Sequence, residues 1–111
     1  MIDIKAASET IATYQKYGWL LRRIVINGPE GAGLESKLKD IADVPITRSS
    51  INAAWFSRPP ADGPVAWEIR YLGDMPFALL ESLDEKDPDF EHSLSQVEAK
   101  LAKAVSAKNA P

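Results

Sequence analysis

The sequence predicts an α+β fold, a two-layer sandwich in which about four mainly antiparallel strands carry three helices on one face. Three observations predict it. Segments at the start, middle and end of the chain have helical apolar stripes, residues 64–72 alternate as a half-buried strand does, and 111 residues suit one domain. We expect a single domain over residues 1–105 and a frayed tail over 106–111. The predicted order is α-β-α-β-β-β-α.

The first helix is predicted over residues 2–17. Its apolar residues recur at spacings of three and four, and Gly18 follows where a left-handed cap would end the helix. The next segment, WLLRRIVI at 19–26, is apolar on both faces for much of its length and ends at an Asn-Gly-Pro breaker. It is therefore predicted to be a central strand, with its position in the sheet left open.

A short helix is predicted over 34–43, and three strands are predicted near 48–58, 64–72 and 76–83. Sequential strands tend to be neighbours, so these three should form an antiparallel meander. The last helix has Asp87 as its cap and Pro88 at its first position. Its core stripe consists of Phe90, Leu94, Val97, Leu101 and Val105.

Composition argues against several classes of protein. The chain has no cysteine, which removes disulfides, thiolate nucleophiles and zinc–thiolate sites and is compatible with the reducing cytoplasm, where we expect the protein to act. The net charge of −3 argues against a nucleic-acid partner, which rewards a strongly basic surface. No segment approaches the apolar length of a membrane span, and the N-terminus lacks the pattern of a signal peptide.

No catalytic, cofactor or metal residues are predicted. The glycine-rich segment 28–37 lies between a strand and a helix, but Leu34-Glu35 follow its last glycine where a phosphate loop needs lysine and then serine or threonine. The acidic segment 84–91 has His92 where a calcium loop needs glycine. His92 is the only histidine, which excludes multi-histidine metal sites.

Arginine and lysine are distributed differently along the chain. The arginines fall on predicted strands or strand ends, whereas the lysines fall on helices, helix flanks or the tail. If helices cover one sheet face, the other face would present the arginines beside aromatic residues, a combination common in binding surfaces. The predicted contact surface consists of Arg22, Arg23, Trp55, Arg58, Glu68 and Arg70. An ordinary solvated face with cross-strand ion pairs is the alternative.

The sequence predicts whether one of the three tryptophans lies in the core and leaves the position of the other two open. Trp67 lies on the apolar side of an alternating strand and is predicted to be in the core. Trp19 and Trp55 each stand beside another large apolar residue, so either residue of each pair could face away from the core.

From these features we expect a non-catalytic, adaptor- or chaperone-like protein-interaction domain. It would bind a protein partner, or a second copy as a homodimer, through the exposed sheet face. The alternative is a small-molecule binder or modest enzyme in which an anionic ligand contacts Arg22 or Arg23, Arg70 and a tryptophan.

Overall fold

A computed structural model describes residues 4–28, 35–59, 65–73 and 76–109. The α+β class and the largely antiparallel sheet are confirmed, with five strands in place of about four. The elements are α1 (Ile4–Lys16), β1 (Leu20–Asn27), α2 (Glu35–Ile41), β2 (Ile46–Ser49), β3 (Ala53–Arg58), β4 (Ala66–Tyr71), β5 (Ala78–Ser82) and α3 (Phe90–Asn109). The strands lie in the order β2-β1-β3-β4-β5. α3 extends past residue 105, where the predicted domain ended.

The extra strand arises because the segment predicted as one strand, 48–58, belongs to two. β2 runs parallel to β1, and β3 returns antiparallel along the other side of β1. Residues 50–52 connect β2 to β3 past the end of β1. There the buried Asn52 accepts a hydrogen bond on Oδ1 from the backbone N–H of Asn27 at 2.7 Å. This bond supplies a partner to a donor at the end of β1.

The placement of all three helices on one face is wrong, because helices pack on both faces of the sheet. One core, which we call the α1–α2 core, contains buried residues Ala7, Ile11, Ile24, Ile26, Leu38, Ala54, Phe56 and Leu72. The other, the α3 core, contains Val25, Ile51, Ala53, Trp55, Trp67, Ile69, Leu94, Val97, Leu101 and Val105. Neighbouring strand residues point to opposite faces, so β1 and β3 contribute alternately to the two cores.

Helix ends follow the sequence signals. Gly18 adopts φ 90°, its N–H bonds to the Gln15 carbonyl, and the N–H of Trp19 bonds to the Tyr14 carbonyl, each at 3.1 Å. This is a Schellman cap, and the Trp19 ring contacts the Tyr14 ring edge-on at 6.2 Å between centroids. Before α3, Asp87 accepts the N–H of Asp89 at 2.8 Å, as a capping side chain does.

The buried polar contact of the α3 core joins sheet to helix. Trp55 is fully buried, and its indole Nε1 donates to Glu98 Oε2 at 2.9 Å. The hydroxyl of Ser49 donates to the other carboxylate oxygen at 2.8 Å. A buried carboxylate requires such donors, because burial without them is costly.

We predict that Trp55→Phe lowers the free energy of unfolding by about 1–3 kcal/mol or more, because it leaves the buried Glu98 carboxylate without one donor. Urea denaturation followed by circular dichroism measures this loss. Trp19→Phe is the control, since it makes the same substitution at a half-buried position next to α1. Equal losses in the two variants would contradict a specific contribution from the Trp55–Glu98 hydrogen bond.

Candidate functional site

The six residues of the predicted contact surface do not share a face. Arg22, Arg23 and Trp55 lie on the α3 side of the sheet, where Trp55 is fully buried and offers no surface. The other members, Arg58, Glu68 and Arg70, lie on the opposite side, because they share the alternation of Ala54 and Phe56. The structure therefore divides the predicted surface into two separate groups.

A β-bulge places Arg22 and Arg23 on the same side. The pairing of β1 with β3 shifts register between Leu21 and Arg23, so two consecutive side chains reach the α3 face. The Arg22 guanidinium lies 4.9 Å from the centre of the Trp67 ring and donates to Ser57 Oγ at 3.0 Å and to Glu85 Oε2 at 2.5 Å. Arg22 is thus held by an aromatic face, a buried hydroxyl and a carboxylate.

Arg23 forms a bidentate ion pair with Glu91 in the first turn of α3. Its two terminal nitrogens donate to the two carboxylate oxygens at 2.7 and 2.8 Å. Hydrogen bonding to Arg23 holds the pKa of Glu91 below its usual range, and the same bond raises the pKa of Arg23. This pair fixes the start of α3 over the bulge.

These residues enclose a pocket of about 220 Å³, which we call the arginine pocket. Its lining combines cations, apolar rings and one carboxylate, supplied by Arg22, Arg23, Pro45, Trp67, Glu85, Phe90 and Leu94. The Trp67 side chain is 2% exposed, as predicted for a core residue, yet its indole Nε1 has no hydrogen-bond partner among the described residues. The pocket therefore places two guanidinium groups, each paired with a carboxylate, beside apolar rings.

The group on the opposite side is centred on Tyr14. The Tyr14 ring stacks on Phe56 with 4.2 Å between centroids, and its hydroxyl donates to Glu68 Oε2. Burial raises the pKa of Tyr14 above its usual range, and the hydrogen bond to Glu68 raises it further. Arg58 lies 6.0 Å from the centre of the Trp19 ring. The contacts of Tyr14 tie β3 and β4 to α1.

β5 forms one edge of the sheet and carries the exposed Leu80, 63% accessible. The N–H of Tyr71 bonds to Phe77 O at 2.8 Å, and the N–H of Leu83 bonds to Val65 O at 3.4 Å, so these are hydrogen-bonded pairs of the β4–β5 ladder. Because such pairs alternate with non-bonded ones, the pairs between them that contain Ala78, Leu80 and Ser82 are non-bonded. The backbone N–H and C=O groups of these three residues therefore point outward.

The two sheet edges differ in protection. β2, at the other edge, has four residues, follows Pro45 and carries the exposed Arg48, all features that discourage strand addition. β5 contains no proline and no lysine, and its one charged residue, Glu81, faces α3, where it lies 3.9 Å from Lys100 Nζ. Only β5 among the described strands thus offers an undefended edge.

The described residues contain no candidate metal site. No group of three or more histidine, cysteine, aspartate or glutamate side chains there is arranged to hold a metal ion, and the exposed His92 lies on the surface of α3. None of the described helices is both long and apolar enough to cross a bilayer. Comparison of the chain with protein-family models, curated proteins and solved structures gave no match.

The residues that sequence reasoning missed are Leu80, Glu85 and Glu91. Leu80 could have been found from the alternation of the predicted strand 76–83, which places it on the side opposite Leu79. The pairing of Glu85 and Glu91 with arginines more than sixty residues away had no local signal.

We predict that in Glu91→Gln the free energy of unfolding falls less steeply as the pH is lowered than it does in the wild type. The folded-state pKa of Glu91 is lowered, so its contribution is present above the unfolded pKa of about 4.3 and is lost as pH falls through the folded value. The effect is small, because Glu91 is largely exposed. Thermal melts between neutral pH and about pH 3 measure it. Glu9→Gln on α1 makes the same charge change away from Arg23 and is the control; equal effects of the two variants would contradict a contribution from the Arg23–Glu91 pair.

Proposed function

We propose that this chain is a non-catalytic protein-interaction domain that self-associates as a homodimer by antiparallel pairing of β5 with β5 of a second copy. The observation that carries the proposal is the undefended outer edge of β5 with Leu80 at its centre. The expected cytoplasmic location stays a prediction. The contact surface moves from the sheet face, where the sequence placed it, to the sheet edge.

Backbone geometry supports this pairing. With a two-fold axis beside Leu80, each Leu80 exchanges two hydrogen bonds with its copy, and Ala78 pairs with Ser82 of the other chain on both sides. All these residues have outward backbone groups, so the contact gains about six backbone hydrogen bonds without disturbing the β4–β5 ladder. The two sheets would become one.

Side chains are also compatible with this register. The two Leu80 side chains would lie on the same face with their Cα atoms about 5.5 Å apart, so each would cover apolar surface that is exposed in the monomer. Glu81 would lie opposite Leu79 of the other copy, which avoids directly opposed like charges. A surface that matches itself in this way favours a second copy as the partner.

The contact should be weak. Strand pairing alone covers less than the roughly 800 Å² per partner of a standard stable interface. We therefore expect a dissociation constant on the order of micromolar.

The side-chain prediction concerns Leu80→Asp, which places a pair of like charges at the centre of the contact and should abolish association. Sedimentation velocity should show the wild-type mass rising with concentration from 12.2 kDa toward the dimer, while the variant stays monomeric. Leu20→Asp is the matched control, because Leu20 is 55% exposed on β1, an interior strand. A wild-type protein that stays monomeric at high micromolar concentration would refute self-association.

The backbone prediction concerns Ser82. Ser82→Pro removes an outward N–H without removing a donor to β4, so it should leave the fold intact and weaken association by at least several-fold. Ser82→Ala keeps the N–H and should dimerise as the wild type does. Circular dichroism verifies folding of both variants. Arg58→Glu separates edge docking from docking on the sheet face, since only face docking would be weakened by it.

A further inference from the structure

The C-terminal end of α1 carries a pocket lined mainly by aromatic rings, which we call the aromatic pocket. Its volume is about 240 Å³, and the residues that line it are Thr13, Tyr14, Tyr17, Trp19 and Glu68. The rings meet because the Schellman cap at Gly18 turns the chain, so that Trp19 returns to contact Tyr14. Tyr17 is 64% exposed, so at least one ring of the pocket is accessible to a ligand.

Glu68 is the one charged residue of this lining, and within the described residues no cation pairs with it. Its hydrogen bond there comes from the hydroxyl of Tyr14, which donates to Oε2. A phenol is neutral, so this bond leaves the negative charge in place and leaves the carboxylate with further acceptor sites. All thirteen lysine and arginine residues of the chain are described, and none of their ion pairs includes Glu68. The pocket thus presents an unneutralised carboxylate beside aromatic rings.

Two arginines lie near the aromatic pocket, and neither lines it. The Arg58 guanidinium is 6.0 Å from the centre of the Trp19 ring, which is the outer limit of a cation–π contact. Arg70 lies two residues after Glu68 on the same face of β4, and its charge acts on Tyr14 without forming an ion pair with Glu68. Both charges reduce the negative potential of the pocket, so a cationic ligand should bind with modest affinity.

The lining defines the class of ligand. Aromatic faces attract cations, and the charge of Glu68 adds to that attraction. A primary ammonium brings three N–H donors that need acceptors, and Glu68 is the only carboxylate of the lining. A quaternary ammonium has no N–H to satisfy, and its methyl groups suit aromatic walls. The volume lies below the usual range for drug-sized ligands, so the cation must be compact.

We propose that the aromatic pocket binds a small quaternary ammonium compound whose positive charge lies beside the Glu68 carboxylate. Its methyl groups contact mainly Tyr17 and Trp19, because one face of the Tyr14 ring is covered by Phe56. The site does not rest on the proposed self-association, because no residue of β5 lines the pocket. The edge variant Ser82→Pro therefore binds the compound as the wild type does.

Choline is the test compound, and dimethylbutanol, in which carbon replaces the nitrogen, is its neutral counterpart of the same shape. In ¹⁵N-labelled protein each of the three tryptophans gives one indole N–H resonance. Titration with choline should shift the Trp19 resonance saturably, with a dissociation constant on the order of millimolar, and should leave Trp55 nearly unchanged. Ethanolamine, the primary ammonium counterpart, should bind more weakly. Equal effects of dimethylbutanol, tighter binding of ethanolamine, or no saturable shift of Trp19 would overturn the proposal.

Two variants test the lining. Glu68→Gln keeps an acceptor for the Tyr14 hydroxyl but removes the charge, and it should weaken choline binding at least about five-fold. Glu81→Gln is the matched control, because it removes the same charge from the opposite face of the sheet, near Lys100.

Tyr17→Leu keeps an apolar side chain at an exposed position and removes the ring. It should weaken choline binding about three-fold or more and leave any binding of dimethylbutanol unchanged. Circular dichroism verifies that the variants are folded. Choline binding that is unchanged in Tyr17→Leu, or equal in Glu68→Gln and Glu81→Gln, would overturn the site.

Discussion

Burial of the central strands on both faces is the constraint on which the rest of the structure depends. In β3, Ala53 through Ser57 are all buried, and successive side chains enter opposite cores, with Trp55 under α3 and Phe56 under α1. A strand that is apolar in every position exposes large side chains unless both sheet faces are covered. The chain satisfies this by dividing its helices, with α1 and α2 on one face and α3 on the other. Cover by helices is therefore concentrated at the middle of the sheet.

The β5 edge and the arginine pocket lie where that cover ends. Leu79 of β5 packs into the α3 core, whereas its neighbour Leu80 faces the opposite side, near the edge, and is exposed. At the start of α3, the bulge in β1 brings two guanidinium groups to the margin of the α3 core, and that of Arg22 lies over the Trp67 ring. Both sites thus exist because the helices cover the central strands completely and leave the margins of the sheet partly exposed.

The sequence predicted local structure well and its arrangement less well. The Gly18 cap, the Asp87 cap, the alternation of residues 65–71 and the core position of Trp67 are local patterns, and the structure confirms them. The helix placement failed, although the segment at 19–26 already indicated a strand apolar on both faces. The division of segment 48–58 depends on how Asn52 meets the end of β1, a contact across 25 positions. The predicted surface failed because arginines were grouped by element and not by the direction of each side chain.

The alternation of residues along a strand also explains why the outward backbone groups and the exposed side chains of β5 belong to the same residues. In an antiparallel ladder, the residues whose backbone groups point away from the neighbouring strand are every second residue, and every second residue shares one sheet face. In β5 the outward-pointing set is Ala78, Leu80 and Ser82, and all three are exposed on the face opposite α3. A shift of the ladder by one residue would give the outward backbone groups to Leu79 and Glu81, but it would also turn every β5 side chain to the other sheet face and so remove Leu79 from the α3 core. Packing Leu79 under α3 therefore leaves the outward backbone groups on the residues with uncovered side chains, so a docking strand can reach both at once.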